Sequence, residues 1–162
     1  MYVLALDVDA IIAHPNPETL TLRLEMARDR LTRSEVITRY LLIDELLSYI
    51  VCRHYFGNPR AAKVMKTKRF RTFNHFILEK LYLHQKLDLA RAIHDIPKWV
   101  SSDAAALNDL RNAVVHSYFP ENRRKKAEWK GHDIFTNEGF DGFIADMSPL
   151  GDFFFKLLGW KV

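Results

Sequence analysis

Arg111, Asn112 and His116 stand within six positions of one another in the stretch LNDLRNAVVHSYFPENRRKK, residues 107–126. Histidine titrates near neutrality and can give or take a proton. A guanidinium keeps its charge and presents a fork that matches paired anionic oxygens. On a helix turning about 100° per residue, Leu107, Leu110, Val114 and Tyr118 form one stripe, with Arg111 on its shoulder about 40° from Leu107. Asn112 and His116, four apart, are neighbours on the face turned away from that stripe. Val115 lies beside them. An apolar residue there suggests that the outer face is covered, as a second copy of the chain would cover it. The plainer account is that Arg111 pairs with an acidic neighbour and His116 profits from the negative end of the helix dipole. Spacing alone is compatible with both.

Other chemistries find less support. His75 and Glu79, at i and i+4, have the spacing of two metal ligands, but no third or fourth ligand stands near them, so a helix-surface pair is the expectation. No metal site and no cofactor are expected. His14, His54, His84, His94 and His132 have no recognisable partners. The phosphate-binding GxxxxGK[ST] loop, GxGxxG and HExxH are all missing. LALDVDA, near the start, resembles the strand-plus-DxD opening of phosphatases with an aspartate nucleophile. Those enzymes need an alternating α/β chain, and helical patterns follow here. Cys52 is the only cysteine, which excludes an internal disulfide framework and a Cys-rich zinc site and suits a reducing compartment.

Charge is distributed unevenly. No acidic residue occurs between Glu45 and Glu79, while Arg53, Arg60, Lys63, Lys66, Lys68, Arg69 and Arg71 fall in that gap. A second cluster, Arg123, Arg124, Lys125 and Lys126, follows the opening stretch. Such clusters fit a polyanion, although solvated helix ends and loops account for many of them. The chain has 162 residues, 48% of them hydrophobic, with 6 Gly and 6 Pro, which is enough for one globular domain with its own core. The N-terminus lacks a basic n-region, and Asp7 and Asp9 interrupt its apolar run, so no signal peptide is expected. With no apolar run of membrane-spanning length, the expectation is a soluble, cytoplasmic protein without membrane association.

The elements that must position these residues have helical period. Thr32 and Glu35 make a capping-box signature ahead of a helix of about 25 residues, roughly 37 Å long. Its core stripe is Val36, Tyr40, Ile43, Leu47, Ile50 and Val51, widened by Leu41 and Leu42, and Gly57-Asn58-Pro59 stops it. A second helical stretch, RFRTFNHFILEKLYLHQKLDLARAI, offers Phe70, Phe73, Phe76 and Ile77 to the core and is expected to bend or break near Leu83–Gln85. Pro97 ends it, and Ser101 or Ser102 can cap the helix that carries Arg111. KGHDIFTNEG reads as a short extended piece and a turn. The last helix, about 137–158, repeats Phe140, Phe143, Ile144, Met147, Leu150, Phe154 and Leu157, with Pro149 inside it as an expected kink. The fold class expected is all-α: one domain over residues 1–162, an up-down bundle of four to five helices with a short extended segment before the last. Residues 1–30 form an N-terminal extension of open structure.

The run RNAVVH, Arg111 to His116, resembles the R-x4-H motif of the HEPN superfamily, including the polar residue directly after the arginine. The order of elements from about Thr32 onward is similar too. The resemblance implies an α-helical bundle acting as a metal-independent ribonuclease, plausible as a toxin or phage-defence effector. It implies a homodimer whose two motif helices share one cleft, with Arg111, Asn112 and His116 as catalytic residues. Lys63, Lys66, Lys68, Arg69, Arg71, Arg123, Arg124, Lys125 and Lys126 would hold the RNA backbone. ArgAsnAlaValValHisSerTyr also fits R-x4-H-x-Y, which implies Tyr118 as a site of inhibitory modification by a nucleotidyltransferase-type antitoxin, or neutralisation by another partner. The competing expectation is a HEPN-like module that binds RNA, nucleotides or proteins without cutting.

Overall fold

The computed structural model describes residues 17–57, 66–115 and 126–160. Among these residues the chain is mostly helical, with five α-helices and one two-stranded hairpin. The first helix, α1, runs Pro17–Phe56 for 40 residues, about 60 Å at a rise of 1.5 Å per residue. It is therefore longer than the capping-box signature predicts. Residues 18–31 are dominated by Leu, Glu, Arg, Met and Ala, all strong helix formers, and the helix simply continues back through them. Thr32 is buried in mid-helix at 3% exposure and caps nothing at a terminus. At the other end Gly57, at φ 77°, takes the left-handed conformation that terminates helices.

Thr67 opens α2, Lys68–Phe76, by accepting a hydrogen bond from the Phe70 amide at 3.2 Å. A 3₁₀ turn at Leu78–Lys80 follows, and α3 occupies Leu83–Ile93. The break in the second helical stretch thus lies just before the expected Leu83–Gln85. The Gln85 side chain accepts from the Tyr82 amide at 2.9 Å and starts a new helix at Leu83. As a result Phe76 and Ile77 are 68% and 46% exposed, correcting their assignment to the core, while Phe70 and Phe73 are half-buried as expected.

The motif helix, α4, covers Lys98–Val115. It begins directly after Pro97 instead of at a serine cap, and the Ser101 amide is already bonded to the Pro97 carbonyl at 3.2 Å. Strands β1, Glu128–Trp129, and β2, His132–Asp133, pair antiparallel across Lys130 and Gly131, both at positive φ as a tight hairpin turn requires. Thr136 caps α5, Asn137–Leu157, by accepting from the Gly139 amide at 3.1 Å. Gly139 is required by packing, because an added Cβ would lie 2.1 Å from the Asp133 carbonyl oxygen.

α1 is the central element and packs against α3, α4 and α5. The main core joins Val36, Ile43, Leu47 and Ile50 of α1 to Leu107, Leu110 and Val114 of α4 and to Phe143, Leu150 and Phe154 of α5. Removing one of these side chains, as in Leu107→Ala, costs about 2–5 kcal/mol. A smaller cluster around Val51, Cys52 and Leu78 holds α2 through Phe70 and Phe73. The first turns of α1 leave Leu22, Leu24, Met26 and Leu31 exposed, and Leu41 is exposed beyond them. No described helix is long and apolar enough to cross a membrane.

Candidate functional site

Leu107, Leu110 and Val114 are buried as the helical wheel predicts, and they fix the rotation of α4. That rotation places Arg111 at the edge of the core, half-buried. Its guanidinium carbon stands 5.0 Å from the centre of the Tyr40 ring on α1. Its Nη1 donates to the Asn112 Oδ1 at 2.9 Å. Among the described residues no carboxylate pairs with Arg111, and Glu121, the next acidic residue along the chain, lies outside them. An arginine stacked on an aromatic face keeps its charge and much of its donor fork while losing freedom of orientation. Asn112 is half-buried and holds Arg111, and Val115 is 43% exposed. His116 and Tyr118 lie outside the described residues, as do Lys63, Arg123, Arg124 and Lys125.

Behind Tyr40 lies a polar ladder into the protein. The Tyr40 pKa is raised, first by burial and then by the Asp44 carboxylate, with Arg111 and the Leu83 backbone pulling the other way. Asp44 accepts from Lys86 Nζ at 2.6 Å, and Lys86 is only 5% exposed. Cys52 lies further in: burial pushes its thiol up to about 11, against a smaller opposing effect of the Lys86 charge. A thiol so placed is a poor nucleophile at neutral pH.

Arg33 holds the last described turn of the motif helix. Its Nη1 donates to the Val114 carbonyl, its Nε donates to Asp29 at 2.7 Å, and its guanidinium lies 5.1 Å from the Phe135 ring centre.

Lys66, Lys68, Arg69 and Arg71 are exposed on and beside α2, and Arg69 rests 5.3 Å from the Phe56 ring centre. This cationic helix is not in contact with Arg111. It is anchored at Phe56, whereas Arg111 sits over Tyr40, about 24 Å back along α1. Lys126, exposed, faces Glu128 at 3.5 Å. His75 Nδ1 and Glu79 are 3.1 Å apart on the surface, with Asn74 donating to the same carboxylate at 2.7 Å. Among the described residues no group of three or more His, Cys, Asp or Glu is arranged to hold a metal ion.

Sequence reasoning missed Tyr40 as a site residue, reading it as plain core, and missed Arg33 altogether. Neither carries a local signal, because each meets α4 only through the packing of two helices distant in sequence. The hairpin is locked by a further set. Lys130 Nζ lies 2.9 Å from Asp146 and 3.2 Å from Asp103, and the Trp129 indole N–H donates to Asp146 at 2.8 Å. Compared with protein-family models, curated proteins and solved structures, the chain matches none.

Proposed function

We propose that the protein is a metal-independent endoribonuclease of the HEPN type, acting in the cytoplasm as a homodimer in which Arg111, Asn112 and His116 of both copies face one cleft. The observation that carries this reading is the state of Arg111. It is charged, unpaired with any described carboxylate, stacked on Tyr40 and steadied by Asn112, five residues ahead of His116 in the sequence. An arginine held ready on an aromatic face suits an anion arriving from outside.

In the reaction, a histidine takes the proton of a ribose 2′-hydroxyl and the 2′-oxygen attacks the adjacent phosphorus. The P–O5′ bond then breaks, and the leaving 5′-oxygen receives a proton from the second acid–base group. Arg111 stabilises the charge on the non-bridging oxygens as it builds. The products carry a 2′,3′-cyclic phosphate and a 5′-hydroxyl. The exposed cations on α2 hold the backbone at a distance from the cut. Control by a partner, including modification of Tyr118, belongs to the same proposal.

The test is cleavage of a single-stranded RNA in EDTA. His116→Ala is expected to lose about 10²–10⁴-fold in rate. Arg111→Ala is expected to lose about 10²–10³-fold. Both should keep the wild-type circular dichroism spectrum. Undiminished cutting by His116→Ala overturns the site. RNA binding with no turnover under any condition favours the non-catalytic module.

A further inference from the structure

Two aromatic rings on the surface have no packing role. Tyr82, 68% exposed, and His84, also exposed, lie with centroids 6.0 Å apart and planes only 6° from parallel. Phe76, equally exposed, ends the cationic helix that precedes them in the chain. Exposed, mutually parallel rings leave large apolar faces in water, an arrangement that globular packing does not require. Their location follows from contacts already described. Tyr82 and His84 flank Leu83, which is buried in the core that α3 shares with α1 and α4, and Arg111 of α4 covers the Tyr40 ring on α1. In the chain they follow α2, with its exposed Lys68, Arg69 and Arg71, after the single 3₁₀ turn Leu78–Lys80. The two nearby carboxylates are already engaged: Glu79 by His75 and Asn74, and Asp88 by Arg91 at 3.8 Å.

We infer that Tyr82 and His84 form a base-stacking subsite for single-stranded RNA between the cationic face of α2 and Arg111. Bases present π-faces of every sequence, so such rings hold a strand without reading it, while cations track its phosphates. The inference rests on the ribonuclease reading for its biological sense, but binding can be tested apart from cleavage. It also explains how cations some 24 Å from Arg111 along α1 can serve the same strand.

The probe is a short, end-labelled 2′-O-methyl oligoribonucleotide, which cannot be cut by 2′-hydroxyl attack, titrated by fluorescence anisotropy with the full chain. Tyr82→Ala and His84→Ala are each expected to weaken binding roughly 5- to 100-fold. Tyr82→Trp should restore it. Neither alanine variant should change the salt slope, whereas Lys68→Ala with Arg71→Ala should flatten it by about 0.7 for each phosphate no longer neutralised. A duplex of the same sequence should bind without dependence on Tyr82. Affinities within twofold of wild type for both alanine variants overturn the subsite, and so does failure of the wild type to bind the single strand. Loss of dimerisation in Tyr82→Ala with unchanged RNA affinity assigns the face to a second copy and also overturns it. If the stacking effect appears in a protein that never cuts RNA, the ribonuclease reading fails and the subsite stands.

Discussion

Lys86 and Asp44 are costly residues to disturb singly. A cation with 5% of its surface exposed, held 2.6 Å from its carboxylate, has exchanged water for one partner. Lys86→Ala leaves Asp44 uncompensated beside Tyr40 and is expected to destabilise the fold by about 3 kcal/mol. Replacing both, as Lys86→Met with Asp44→Leu, should recover most of that loss, since two apolar groups of similar volume need no solvation. Urea unfolding of the three variants measures it. A double variant no more stable than the single one would show that the pair holds geometry that apolar side chains cannot supply. Tyr40 stands one helical turn before Asp44 and carries Arg111 over its ring, so the double variant should also lower RNA cleavage if this turn of α1 orients the arginine.

The hairpin is where pH should act among the elements. Asp146 is pulled up by burial but down more strongly by hydrogen bonds from Lys130 and the Trp129 indole, so its carboxyl sits below the usual range. Its contribution is therefore complete above the ordinary carboxylate pKa near 3.9 and fades as pH falls through the lower folded value. Lys130 is raised, chiefly by Asp146 against the effect of burial, and loosens only in strong base. With Trp99 and Trp160 replaced by Phe, the fluorescence of Trp129 should change below about pH 4, and Asp146→Asn should abolish that acid step. An acid profile that is the same in Asp146→Asn as in the parent would show that this carboxylate does not lock the hairpin.

Legibility also differs from element to element. The last helix is readable nearly to its ends, because apolar residues recur on one face on both sides of Pro149. The start of α1 is not, since Thr32-x-x-Glu35 looks like a capping box although helix formers surround it on both sides. The start of α4 is misread for a similar reason: two serines offer caps, but Pro97 has already begun the turn. At the candidate site, the types and spacing of Arg111 and Asn112 single them out in the sequence. Tyr40, Arg33 and the Tyr82–His84 pair are not singled out there, because they become significant only when α1, α3 and α4 are packed.

At the scale of the whole molecule, α1 acts as a spine with two unequal attachments. The main core binds α3, α4 and α5 to its middle, while α2, which has no fully buried residue, hangs from the satellite cluster. Amide exchange should follow this division, with α2 exchanging through local opening and the centre of α1 only through global unfolding. Equal protection in both would mean that the two clusters unfold as one. The contrast suits the proposed division of labour, in which a yielding cationic helix adapts to the strand while Arg111 stays fixed on the rigid part.

The buried thiol has a practical consequence for the proposed dimer. With its ionisation pushed up to about 11, Cys52 exists as thiolate in only about one molecule in ten thousand at neutral pH, behind 9% exposure. Toward alkylating spin labels the native chain behaves as if it had no cysteine. A cysteine introduced at exposed Thr72 or Ser148 would carry the label alone. Pulsed electron resonance on such singly labelled chains would then read the separation between two copies directly, with no background to subtract.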